Sequence, residues 1–390
     1  MRCPLKDAAI DAPNAVAIIE KGCEISYRML DQMADSIRLD DSRCIVNEQP
    51  SVHLIAKLFA ALRQNIPFCP LNLKLPRQAL ESYRKRLVNA PFAQILLFTS
   101  GSSAAPKLAR LSLHNLLTSA RAVIDAVNLK PEDRWHLSLP LYHVGGLGII
   151  FRSVLARAGV VLDAFSPAIT HLSYVPTQLY RAWPIYPTLK CVLLGGAPIF
   201  STPSKLPIIA TYGLTEMSSA VLASQPHWQG NRLYLGNPLP HAEMRLIDQE
   251  IFVRGESLFL GYENKAQSDW FATGDLALFD PNFGYSIIGR KDNMFISGGE
   301  NIQPEEIEKT LLEDPNILEA VVVPKQDAEY GNRPVVFLKT LTPISLSYIQ
   351  NLLADRFPKY KIPIACYPLI SDHLKVNRKS LYALCNCSGS

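Results

Sequence analysis

Between residues 94 and 213 the chain repeats one pattern, a short apolar run followed by a longer amphipathic stretch. The runs are "QILLFT", "GVVLDAF", "HLSYV", "CVLLGG" and "PIIATYG". Runs this short and this uniformly apolar are strands covered on both faces. The stretches "HNLLTSARAVIDAVN" and "PTQLYRAW" have the periodicity of helices with one apolar face. Alternation of this kind predicts an α/β sheet with crossover helices. After about residue 230 the pattern changes. "EMRLIDQEIFVRG" and "FGYSIIGR" predict short strands joined by polar turns. It changes again after Arg290. "QPEEIEKTLLEDP" predicts a helix with Pro304 near its start and acids in its first turn. "ILEAVVVPK" and "RPVVFLKTL" predict strands, and "LSYIQNLLADRF" a second helix. The expected division is therefore 1–291 and 292–390, the latter a compact α+β unit.

A chain of 390 residues with 48% apolar content can bury a core in each of two or three domains. Charged residues make up 19% and the net charge is +4, with no Lys/Arg-dense arm. That balance argues against a nucleic-acid partner. The eight cysteines are scattered and form no CxxC pair, which predicts reduced thiols rather than a disulfide framework or zinc site. Asp7 and Asp11 interrupt the N-terminus where a signal peptide is apolar. Runs such as "LGIIF" are too short to cross a bilayer. The expectation is a cytoplasmic protein without stable membrane insertion.

Several short segments carry chemistry. In "FTSGSSAAPKLAR" the hydroxyls of Thr99, Ser100, Ser102 and Ser103, the glycine Gly101 and the ammonium of Lys107 follow an apolar strand. Small residues let backbone N–H groups reach an anion, and the hydroxyls and ammonium add donors. The plainer reading is a polar surface loop. In "LYHVGGLGIIFR", His143 precedes Gly145, Gly146 and Gly148, which allow close backbone approach. Arg152 stands among apolar residues and needs an anionic partner, either an internal acid or a ligand. "CVLLGGAPI" ends a strand in two glycines, a flat seat for a ring. "ATYGLTEMSS" gathers Tyr212, Gly213, Thr215 and Glu216, which suit either a capped turn or a nucleotide with its metal ion. Asp275 in "ATGDL" can take both hydroxyls of a ribose, or simply close a turn. Arg290, Asp292 and the glycine pair of "SGGEN" follow, and Lys375 lies near the end.

In this order these segments resemble the adenylate-forming superfamily of acyl-CoA synthetases, adenylation domains and luciferases. The likeness runs from "GCEISYRMLDQMA" to "KVNRKSL", nearly the whole chain. Within it, "PLYHVGGLGIIFR", "THLSYVPTQLYR", "LKCVLLGGAPI" and "GRKDNMFISGGENIQPEEIE" are most similar to the o-succinylbenzoate–CoA ligases of menaquinone biosynthesis.

The resemblance implies a large N-terminal adenylation domain of packed mixed sheets with helices and a small β-rich subdomain. A mobile α+β C-terminal domain would follow. It implies ATP, Mg²⁺ and coenzyme A, with a small carboxylic acid as partner substrate. Tyr212 and Gly213 would lie near adenine with Gly196, Ala197 and Pro198. Thr215 would contact phosphate and Glu216 would bind Mg²⁺. Thr99 to Lys107 would close over the outer phosphates, and Asp275 and Arg290 would hold the ribose. His143, Arg152 and Ser173 would line the acid pocket. Lys375 would act in adenylation, Asp292 would sit at a hinge, and Ser297, Gly298 and Gly299 would line the thiol channel. The sequence departs from the family pattern where Ala104, Leu108 and Leu374 replace glycines. Two alternatives stay open: another aryl or fatty acid as substrate, or, suggested by those changes, a catalytically weak nucleotide-binding homologue.

Overall fold

The computed structural model describes residues 3–99, 106–164, 166–181, 186–199, 202–203, 205–230, 232–263, 265–370 and 378–386. The chain forms two compact units. The first comprises Met1–His227, Leu235–Arg245 and Phe252–Ala272; the second comprises Trp228–Tyr234, Leu246–Ile251 and Thr273–Ser390.

The first unit is built on an eight-stranded sheet. Its order is Ser219–Ser224, Ile208–Leu214, Cys191–Leu194, His171–Tyr174, Arg134–His136, Gly159–Val161, Val16–Glu20 and Cys23–Ser26. The six inner strands run parallel, and an antiparallel strand closes each edge. Parallel strands need crossovers, which is why helices separate them in sequence. One crossover is Val144–Ala156, between Arg134–His136 and Gly159–Val161, whereas the helix Leu113–Val127 leads into this sheet from a second one. Ser112 and Asn115 form a reciprocal capping box at the start of Leu113–Val127, and Asn128 ends it in the left-handed conformation. A second sheet has the order Lys265–Ala266, Gly261–Tyr262, Lys107–Leu111, Ile95–Thr99, Phe68–Pro70 and Cys44–Val46. The main core cluster of this unit holds Phe59, Trp135 and Phe151, among its largest fully buried side chains, and separate clusters form around Leu172 and Leu96.

From His227 to Ile302 the described residues contain strands and turns but no helix. In the second unit, Ile317–Asp327 pairs antiparallel with Gly331–Thr340, and Cys366–Pro368 adds a parallel strand. The helices Pro304–Leu311 and Leu346–Ala354 bury Ile307, Leu311, Ile349 and Leu353 against Val322 and Val336. The mixed α/β architecture of the first unit and the α+β character of the second agree with the patterning of the sequence. Among the described residues no helix is long and apolar enough to cross a membrane, and no disulfide joins the described cysteines.

Candidate functional site

The inner strands of the large sheet point their carboxyl ends the same way, the edge at which open α/β sheets bind ligands. Cys191–Leu194 ends in Gly195, whose N–H donates to the Tyr174 carbonyl at 3.1 Å. A Cβ at Gly195 would stand 2.1 Å from Thr211 Oγ1, so only glycine fits between these strand ends. Gly196, Ala197 and Pro198 follow and are exposed. On the neighbouring strand Tyr212 is half-buried. A Cβ at Gly213 would lie 2.3 Å from the Ser219 carbonyl oxygen. The segment makes one 3₁₀ turn, Thr215–Met217, and returns as the antiparallel strand Ser219–Ser224. The tight pairing of Leu214 with Ser219 leaves no room for a helix to start.

The 3₁₀ turn presents Glu216 to the second sheet. Tyr262 Oη donates to Glu216 Oε1 at 2.5 Å, and the Phe259 N–H donates to the Glu216 carbonyl at 2.8 Å. Lys107 Nζ stands 5.0 Å from the centroid of the Tyr262 ring. Lys107 opens the strand opposite Ile95–Thr99, and Thr99 Oγ1 donates to its carbonyl at 3.3 Å. That hairpin brings the two ends of the hydroxyl-rich loop together. Ser100, Gly101, Ser102, Ser103 and Ala104 lie outside the described residues. Leu108 has a plain structural explanation: its side chain is fully buried, packed with Leu87 and Leu96. A glycine there would open a cavity.

The helix Val144–Ala156 starts at His143, which is extended (φ −111°, ψ 141°), exposed, and beside the Tyr142 ring at 4.6 Å. Gly146 lets the helix start press on the preceding turn, since a Cβ there would lie 2.2 Å from the Pro140 carbonyl oxygen. Two turns on, Arg152 is 1% exposed. One of its N–H groups donates to Ser219 Oγ at 2.6 Å, and its guanidinium stands 5.5 Å over the Trp135 ring. Its Nε has no partner. No carboxylate pairs with it among the described residues, and burial pushes its pKa down to about 10. Ser173 is buried on the next strand, where its hydroxyl accepts from Trp135 Nε1 at 3.1 Å and so reaches Arg152 only through that ring. No local pattern marks His241. It is 8% exposed with both ring nitrogens unpartnered. Burial pushes its pKa down to about 4, helped by the charge of Arg152.

In the second unit, Asp275 and Arg290 face each other across an antiparallel pair. Arg290 Nη1 donates to Asp275 Oδ1 at 3.0 Å and to the Thr273 carbonyl at 2.9 Å; its Nε donates to Asp292 Oδ1 at 2.9 Å. Burial alone would lower the pKa of Arg290, but hydrogen bonding to Asp292 and the two carboxylate charges outweigh it and raise the value. Gly298 and Gly299 are the two central residues of a hairpin that pairs Ser297 with Glu300. Their φ values of +57° and +86° are those that glycine adopts without strain. A Cβ at Gly298 would also meet Tyr330 Cδ1 at 2.7 Å. Ser297 is fully buried and its hydroxyl is unpartnered. Lys375 lies outside the described residues. Arg378, three positions later, makes a bidentate pair with buried Glu308 at 2.5 and 2.7 Å.

No group of three or more His, Cys, Asp or Glu able to hold a metal ion occurs among the described residues. A single half-buried carboxylate such as Glu216 suits magnesium, which keeps waters and substrate phosphates as its other ligands.

A family model described as AMP-binding enzyme matches residues 93–263. A 2-succinylbenzoate–CoA ligase of Haemophilus influenzae is 32% identical, over 97% of this chain and 88% of that protein. The Escherichia coli ligase of the same name is 36% identical over 73% of this chain and 68% of its own. Among solved structures, a variant of E. coli MenE with bound OSB-AMS has a TM-score of 0.84 at 26% identity, covering 98% of both chains. The Bacillus subtilis o-succinylbenzoate coenzyme A synthetase in complex with ATP and a magnesium ion has a TM-score of 0.82 at 25% identity, covering 97% of this chain and 98% of that one. The fold and the strand-end motifs are those of an adenylate-forming enzyme. The chain belongs to the 2-succinylbenzoate–CoA ligase family.

Proposed function

We propose that this protein joins 2-succinylbenzoate to coenzyme A in two steps, at the expense of ATP. In the first, the succinyl carboxylate attacks the α-phosphorus and pyrophosphate leaves, giving an acyl-adenylate. In the second, the thiol attacks the acyl carbon and AMP leaves, giving the thioester. Family membership supports the reaction, and the observation that carries the choice of acid is Arg152. A guanidinium buried with no internal carboxylate is costly unless a ligand supplies the anion. The acid has a second, aromatic carboxylate of the right charge. A fatty acid has no such group.

The other assignments follow the family. Tyr212, Gly213, Gly196, Ala197 and Pro198 seat the adenine, and Asp275 and Arg290 take the ribose. Thr215, Thr99 and Lys107, with residues 100–103, bind the phosphates, where backbone amides and a mobile cation offset developing charge. Glu216 holds magnesium, which supplies a hard Lewis acid that makes pyrophosphate a better leaving group. His143 and Ser173 wall the acid site. Residues 292–390 act as the mobile domain that carries Lys375, with Asp292 at its hinge, and Ser297, Gly298 and Gly299 line the thiol channel. The lack of a disulfide among the described cysteines suits a cytoplasmic setting. The test is pyrophosphate release and thioester formation with a panel of acids. 2-Succinylbenzoate should be used far better than benzoate or a long-chain fatty acid. Equal or better use of either would overturn the choice of acid while leaving the adenylate-forming chemistry in place.

A further inference from the structure

Tyr262 lies in "FLGYENK" and touches two groups assigned to the phosphates. Its hydroxyl donates to Glu216 Oε1 at 2.5 Å, and its ring face lies 5.0 Å from Lys107 Nζ. The residue is held firmly enough to act as a template. Its strand pairs with Lys107–Leu111, setting Tyr262 opposite Ala109, and the Glu263 N–H donates to the Leu108 carbonyl at 3.0 Å. Arg110 Nε donates to the Tyr262 carbonyl at 3.3 Å. The ring packs edge-to-face against Phe259 at 4.9 Å and Phe271 at 6.5 Å. The Phe259 N–H also fixes the backbone of Glu216 at 2.8 Å. One aromatic cluster thus locates both the carboxylate and the ammonium, 109 positions apart in sequence.

A hydrogen bond to one carboxylate oxygen restricts the rotation of the group and leaves the other oxygen oriented. An aromatic face attracts an ammonium without neutralising it, so Lys107 stays available to phosphate. We infer that Tyr262 is a positioning residue for the adenylation half-reaction: its hydroxyl orients Glu216 for magnesium–ATP and its ring seats Lys107. This rests on the assignment of Glu216 and Lys107 above.

Calorimetric ATP binding, with and without Mg²⁺, reads the role apart from turnover. Tyr262→Phe keeps the ring and its packing. The gain in ATP affinity that Mg²⁺ confers should shrink about tenfold, the size of one charge-assisted hydrogen bond. Affinity without Mg²⁺, the thermal midpoint and acyl transfer from supplied acyl-adenylate to coenzyme A should stay as in wild type. Tyr262→Leu should weaken ATP binding without Mg²⁺ as well, because the seat for Lys107 is lost. An unchanged Mg²⁺ gain in Tyr262→Phe would overturn the inference, as would a parallel fall in Mg²⁺-free binding and acyl transfer. Glu216→Gln separates the two readings. If it leaves the Mg²⁺ gain intact, the assignment of Glu216 is wrong and the inference falls with it. If it abolishes the gain while Tyr262→Phe does not, only the positioning role fails.

Discussion

Two arginines in this molecule, Arg152 fully buried and Arg378 half-buried, have opposite surroundings. Arg378 sits against Glu308, Glu305 and the Val322 carbonyl, and Glu308 also accepts from the Val322 N–H at 2.6 Å. Burial would lower the pKa of Arg378, but the Glu308 carboxylate outweighs it and raises the value. Arg152 has a serine hydroxyl and an indole face instead, and burial lowers its pKa. Arg378 is complete within its own unit and ties the start of the last helix to the helix Pro304–Leu311. Arg152 is incomplete in a way that a dianionic substrate would remedy. A buried cation therefore reports on structure or on ligand according to what faces it, and burial alone does not distinguish the two.

Substitutions separate the two kinds of arginine. The largest effect is expected at Lys375, which shares the last stretch of chain with Arg378 and is proposed to act in adenylation. Lys375→Ala should cut acyl-adenylate formation by roughly 10³-fold or more, the loss of one key charge on the reacting phosphate. Acyl transfer from supplied acyl-adenylate should survive, and equal loss in both steps would refute the division of labour. Arg378→Leu should act through stability, by about 3–5 kcal/mol, because Glu308 would be left as an uncompensated buried charge. Denaturant unfolding reads this directly, and a change below about 1 kcal/mol would show that the pair is dispensable. Arg152→Leu should do the reverse. Stability should change by no more than about 1 kcal/mol, since an unpaired buried charge is removed, while use of 2-succinylbenzoate falls and ATP binding holds.

The smallest effect concerns His241. Its pKa is held near about 4 in the folded protein, against about 6.5 unfolded, so the unfolded chain binds more protons between those values. Stability should therefore fall as the pH drops from about 6.5 to about 4, by up to about 3 kcal/mol. His136 and His171, also lowered by burial, add in the same direction. His241→Gln should flatten part of this acid slope, and an unchanged slope would remove His241 from the cluster around Arg152.

Much of this was legible in the sequence because apolar runs and caps are local signals. "CVLLGG" and "PIIATYG" are adjacent parallel strands, and "HNLLTSARAVIDAVN" is a helix between Ser112 and Asn128. What was not legible depends on contacts across the chain. Leu108 looked like a lost glycine of a flexible loop but is a core residue of the strand that follows it. Glu216 stands in a local motif, whereas its partner Tyr262 lies 46 positions away, and only the fold brings the two together. Arg152 was marked as a cation among apolar residues, but only the fold shows that Ser219 and Trp135 face it rather than an acid. Trp135 also takes the Ser173 hydroxyl, a pairing that neither residue's local sequence announces.

If Arg152 receives the ring carboxylate of the acid, removing that carboxylate and removing that arginine should have the same consequence. 3-Benzoylpropionate is 2-succinylbenzoate without that carboxylate. Acyl-adenylate formation should be measured with both acids in wild type and in Arg152→Leu. Wild type should prefer 2-succinylbenzoate by roughly 10²–10³ in kcat/KM, the cost of leaving one partner of a buried charge pair alone. In Arg152→Leu that preference should collapse to about tenfold or less, mainly through poorer use of 2-succinylbenzoate. A preference that survives the substitution undiminished would contradict the account, because the carboxylate would then be held elsewhere.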